Sequence, residues 1–104
     1  MISQETIDSV VDDIVKKCKP LKIILFGSYA RGNTTEDNDI DLLIILNMRG
    51  TSSQKIRRVR SSVTREGFGL DVVVRSPARL RKALAGRDWF IQEAVRDGRV
   101  LYER

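Results

Sequence analysis

Apolar residues early in the chain recur at intervals of three and four. Ile7, Val10, Val11, Ile14, Val15 and Cys18 line one helical face, Ser3 is placed to cap its start and Pro20 to set its end. The pattern then becomes nearly continuous: Leu21 to Phe26 is too short for a core helix and lies between Pro20 and Gly27, which predicts a buried strand. A Gly27-Ser28 turn and a short helical turn to Gly32 follow, and 33–38, crowded with Thr, Glu, Asp and Asn, reads as loop. Ile40 to Leu46 predicts a second strand. Gly50-Thr51-Ser52-Ser53 breaks the chain, and 54–65 predicts a helix with a thin apolar stripe of Ile56, Val59 and Val63 on an otherwise basic surface.

Gly67 and Gly69 flank a turn, after which Leu70 to Arg75, rich in β-branched residues, predicts a third strand. Ser76-Pro77 is a helix start, with Ser as cap and Pro in the first helical position. One or two helices run to about Asp97, offering Trp89, Phe90, Ala94 and Val95 to the core, with Trp89 and Phe90 assigned to core or a subunit interface. Gly98 is placed as a stop, and Val100-Leu101-Tyr102 adds a short final strand. The order helix, strand, strand, helix, strand, helix predicts an α/β (α+β) domain, a small mixed β-sheet of three or four strands flanked by helices, with 1–104 forming one domain.

Composition narrows the chemistry. The chain has no histidine, which removes Ser-His-Asp and Cys-His catalysis, histidine-ligated zinc and the commonest general base at neutral pH. Its one cysteine, Cys18, permits neither an internal disulfide nor a cysteine zinc site and is expected to pack as a small apolar residue. No apolar run approaches the roughly 20 residues of a membrane span, and the acidic start Met1-Ile2-Ser3-Gln4-Glu5 is unlike a secretory signal, so a cytoplasmic protein is expected. A net charge of +5 suits an anionic partner without choosing among nucleotide, nucleic acid or acidic protein.

The chemistry concentrates in Gly27-Ser28-Tyr29-Ala30-Arg31-Gly32 and in Asp39-Ile40-Asp41-Leu42. Residues two apart in a strand project from the same face, so Asp39 and Asp41 stand side by side. At about 4 Å and an effective dielectric of about 20 their repulsion is of order 4 kcal/mol. Mg2+, a hard cation held by carboxylates and substrate phosphates, is the natural compensator. Asp71, between Leu70 and Val72, brings a third acid if its strand neighbours the second. Three acids holding two metal ions is a recurrent device for in-line phosphoryl or nucleotidyl transfer. On this reading Asp39 and Asp41 ligate both ions, and Asp71 binds the ion that activates the acceptor hydroxyl and assists its deprotonation. Gly27 permits close backbone approach, the Ser28 hydroxyl can donate to a terminal phosphate, and Arg31 adds charge toward the same group.

These residues resemble the minimal nucleotidyltransferase family of the DNA polymerase β-like nucleotidyltransferase superfamily. The signature is Gly-Ser, ten residues, then Asp-x-Asp, here Gly27-Ser28, residues 29–38 and Asp39-Ile40-Asp41, completed by a later strand aspartate that Asp71 matches. The ending Gly-Arg-Val-Leu-Tyr-Glu is also similar, and Asn38 departs from the more usual Ser before Asp-x-Asp. The resemblance implies a polymerase β-like nucleotidyltransferase fold and Mg2+-dependent transfer of AMP from ATP. It further implies an antitoxin of a type VII-like toxin-antitoxin pair, which adenylylates a tyrosine hydroxyl of a cognate HEPN-domain ribonuclease toxin.

Larger members of that superfamily modify aminoglycosides or extend RNA with a further domain to hold the acceptor, which favours a protein acceptor for this short chain. Two other classes compete: a non-catalytic binding module that blocks the toxin sterically, and a nucleic-acid binder acting through Lys55, Arg57, Arg58, Arg60 and Arg65. The basic stretch lacks interleaved aromatics, Phe68 being the nearest ring, which disfavours direct nucleic-acid binding there.

Overall fold

The computed structural model describes residues 2–27, 30, 39–64 and 67–104. Eight elements follow in the order α1 (Gln4–Cys18), β1 (Lys22–Phe26), β2 (Asp39–Ile45), α2 (Ser52–Ser62), β3 (Gly69–Arg75), α3 (Pro77–Ala85), α4 (Trp89–Asp97) and β4 (Arg99–Glu103). The strands form one sheet in the order β3-β2-β1-β4. β1 pairs antiparallel with both β2 and β4, whereas β2 and β3 run parallel, as the mixed α+β reading expects.

The helix ends follow their capping chemistry. Ser3 accepts the Thr6 N–H at the start of α1, and the helix closes through Lys19 in the left-handed region (φ 51°) before the buried Pro20. α2 begins earlier than the apolar stripe suggests. Thr51 and Gln54 form a reciprocal capping box, so the polar break at 50–53 is itself the helix start. Ser76 caps α3 with Pro77 opening it, and Asp88 caps α4 through the Ile91 N–H.

Strand alternation sorts the core into two layers, one on each face of the sheet. Ile23, Leu25, Ile40, Leu42, Ile44, Val72 and Val74 face α1 and α2, meeting Ile7, Val10, Val11, Ile14 and Val59. Ile24, Leu43 and Ile45 face the other way, against Ile91 and Ala94 of α4, with Leu80 and Ala83 of α3 alongside. Each side chain fully removed from water contributes roughly 1.5–3 kcal/mol of transfer free energy, and because both faces are covered, β1 and β2 read as near-continuous apolar runs.

Of the two places expected for Trp89 and Phe90, core or a subunit interface, the core is not where they lie. Trp89 is 78% and Phe90 51% exposed. The Asp88 cap starts α4 in a phase that turns Ile91 and Ala94, three apart, onto the sheet and carries Trp89 outward. Cys18 is half-buried, its Sγ 3.9 Å from the Arg58 carbonyl.

Among the described residues no helix is long and apolar enough to cross a membrane.

Candidate active site

β2 places the acids. Asp39 and Asp41 share a face with Leu43 and Ile45, the α4 side of the sheet, while Ile40 and Leu42 are buried on the opposite side. The parallel register sets Asp41 directly opposite Asp71, and Asp39 opposite Gly69, which adds no side chain. Across the antiparallel ladder Asp41 stands opposite Phe26. Asp41 is half-buried, and Asp39 and Asp71 are exposed.

The Asp41 and Asp71 carboxyls, on paired positions of neighbouring strands, are close enough to interact directly. Burial first, then the side-chain contact with Asp71, then the charges of Asp71 and Asp39 push the Asp41 carboxyl above the ordinary aspartate range. The structure therefore brings Asp41 and Asp71 together and leaves Asp39 two positions away on the same strand, acting on Asp41 through its charge. Among the described residues no three acidic, Cys or His side chains make a ready-made ligand cluster. The donor set still suits a hard divalent cation: all-oxygen, anionic, and bearing a repulsion that a cation relieves and a proton otherwise relieves at Asp41.

Gly27 closes the site from β1. Its φ is +78°, and a Cβ built on it would run into the Asp41 carboxylate, so the position requires glycine on two counts. Ser28 and Arg31, the other residues expected at the phosphates, lie outside the described residues, as does Asn38.

Beside Gly27 lies a feature that the sequence did not disclose. A cavity of about 200 Å³ opens between β1 and α4, walled by Phe26, Phe90 and Ala94 and flanked by Glu93 and Asp97. The two rings meet edge to face, 5.5 Å between centroids. Phe90 read as core from its hydrophobicity, and only the sheet order shows that it overhangs the end of β1. The basic face of α2, by contrast, is partly structural: Arg58 donates to the Lys17 carbonyl (2.8 Å) and Arg60 to the Leu70 carbonyl (2.9 Å). Arg65 lies outside the described residues.

Comparison with known proteins decides the family. The family model described as "Nucleotidyltransferase domain" matches residues 7–102. The chain belongs to the nucleotidyltransferase domain family. It is similar to three proteins of Methanocaldococcus jannaschii, provisionally named protein adenylyltransferases MJ1305, MJ0604 and MJ0141. The identities are 32% over 87 residues, 37% over 82 and 32% over 84. The matches take in 73%, 78% and 81% of this chain and 59%, 77% and 81% of those proteins. The chain thus spans under two thirds of the length of MJ1305. In fold it is similar to the crystal structure of a provisionally assigned nucleotidyltransferase from Sulfolobus solfataricus. The TM-score is 0.66 at 17% identity, covering 96% of this chain and 79% of that one. Nucleotidyltransferase activity follows from the family.

Proposed function

We infer that this nucleotidyltransferase transfers AMP from ATP to a protein hydroxyl, with Mg2+, and that its acceptor is a tyrosine of a HEPN-domain ribonuclease toxin that it neutralises as an antitoxin. The observation that carries the chemical part is the register pairing of Asp41 with Asp71, with Gly27 pressed against Asp41. The protein acceptor is supported by relatives named as protein adenylyltransferases and by the resemblance to the minimal antitoxin enzymes.

In this reading Asp39, Asp41 and Asp71 would hold Mg2+, which when bound supplies charge stabilisation to the phosphates. The acceptor oxygen forms a bond to the α-phosphorus as the bond to the pyrophosphate oxygen breaks, and the more exposed Asp71 takes the acceptor's proton. Gly27 lets the triphosphate approach the backbone, with Ser28 and Arg31 completing its cradle. Phe26 and Phe90 wall the neighbouring cavity, which accommodates the nucleoside end.

The test is to incubate the chain with α-labelled ATP, Mg2+ and a candidate HEPN toxin, then to follow label and ribonuclease activity. Label should reach a toxin tyrosine, and both labelling and neutralisation should stop with EDTA or with Asp41→Ala and Asp71→Ala. Neutralisation that survives both substitutions without labelling would replace the enzyme reading with steric blockade. Label on ATP-derived products with no protein acceptor would point to a small-molecule substrate.

A further inference from the structure

The chain's positive charge is not spread evenly. Residues 72–87 contain Arg75, Arg79, Arg81, Lys82 and Arg87 and no acid, five positive charges that equal the net charge of the whole chain. The fold gathers four of them. Arg75, Arg79, Lys82 and Arg87 line one open groove of about 570 Å³ between the end of β3, α3 and the turn into α4.

The groove has a fixed frame. Gln92 donates to the carbonyls of Ala83 (3.1 Å) and Gly86 (2.7 Å), tying α4 to the end of α3. The one acid on its lining, Asp88, accepts the Ile91 N–H as the cap of α4. Next in the chain after Asp88, the Trp89 N–H donates to the Arg87 carbonyl (3.0 Å), and the Trp89 side chain is 78% exposed. Trp89 is the only tryptophan in the chain.

We propose that this groove binds single-stranded nucleic acid, with Arg75, Arg79, Lys82 and Arg87 tracking the phosphates and Trp89 stacking on a base. The apolar part of the lining is Ala78, Ala83 and Gly86, which offers no pocket for the buried aromatic or aliphatic anchors of a protein partner. Four cations on one groove, with an exposed ring two residues along the chain from Arg87, are instead the groups that hold a flexible polyanion with π-faces. The groove is also separate from the acids: Arg75 lies four residues along β3 from Asp71, about 13 Å at strand rise.

The lone tryptophan makes the test direct. Titrating the full chain with a 20-nucleotide oligo(U) at low salt should quench its fluorescence, and a labelled oligo(U) should bind by anisotropy. Trp89→Ala should weaken that binding roughly 5- to 100-fold. Arg79→Glu with Arg87→Glu should weaken it at least tenfold and flatten its log–log salt dependence by about 0.7 for each phosphate no longer neutralised. Arg79 is the third residue of α3 behind the Ser76 cap, where Glu suits the helix, so a folded variant is expected, checked by circular dichroism. Absence of quenching, equal loss from Arg57→Glu on α2, or displacement of oligo(U) by polyglutamate at matched charge would each overturn the proposal, the last by assigning the groove to acidic protein.

Discussion

Gly27 and Asp41 contend for the same space: a side chain of even one carbon on the glycine would displace the carboxylate. Gly27→Ala therefore acts on the site more than on the fold. Gly67 provides the control, since it also has a positive φ (+97°) but meets nothing within 4 Å of a built Cβ. Both alanine variants should lose roughly 1–2 kcal/mol for the left-handed backbone. AMP transfer should fall at least tenfold in Gly27→Ala alone, because the added Cβ displaces the Asp41 carboxylate. Denaturant melts beside initial rates test this, and equal activity in the two variants would refute it.

Asp41→Asn should stabilise the metal-free protein. A carboxyl whose folded pKa lies above its unfolded value binds its proton more tightly when folded. Stability is thus favoured at low pH and lost as pH rises through the raised pKa. The wild type carries no such penalty below the ordinary value of 3.8 and the full penalty above the raised one. In EDTA the melting temperature of Asp41→Asn should exceed that of the wild type at neutral pH, with the gap closing toward pH 3, whereas most substitutions cost about 1 kcal/mol.

Asp13 titrates with the opposite sign. Its Oδ2 accepts from the Thr64 N–H (3.1 Å) and hydroxyl (3.0 Å), tying α1 to the residues after α2. Those bonds, the backbone one above all, hold the carboxyl below its ordinary value. The stability it contributes is present above about pH 4 and is lost as pH falls through the lowered pKa. Asp13→Ala should cost roughly 0.5–1 kcal/mol at neutral pH, screened by its exposure. That difference should fade in acid, as paired urea melts at pH 7 and pH 3 would show.

Gly98→Ala should be costly for packing alone. Gly98 has φ −79°, which any residue adopts, but a Cβ there would meet the Ala94 carbonyl, Ile24 Cγ2 at 2.6 Å and the Leu25 carbonyl at 2.9 Å. A loss of about 1–3 kcal/mol is expected, read from a urea melt, and a neutral result would mean that α4 can lift from the sheet.

The elements were legible because their signals are local. Caps such as Ser3 and Ser76, the Pro77 start and the apolar runs of β1 and β2 depend on residues within a few positions of one another. The Asp39 and Asp41 pair was legible for the same reason, strand period two. What was not legible depends on register and phase. Asp71 was legible as a third acid only on the condition that its strand neighbours the second; that it stands opposite Asp41 and that Phe26 and Phe90 wall one cavity follow from how distant elements align, and the outward Trp89 follows from the phase of α4. The start of α2 was misplaced by its polar first turn, where capping needs Thr51 and Gln54 rather than apolar residues.

The β2–β3 ladder holds Asp41 and Asp71 by seven consecutive residue pairs, on strands whose other face is core. The two acids are therefore spaced by the backbone ladder, and a one-residue slip of either strand would turn its acid into the hydrophobic layer. Warming should leave that spacing intact until the sheet melts as a whole, so loss of catalysis and loss of the fold should fall at a single temperature.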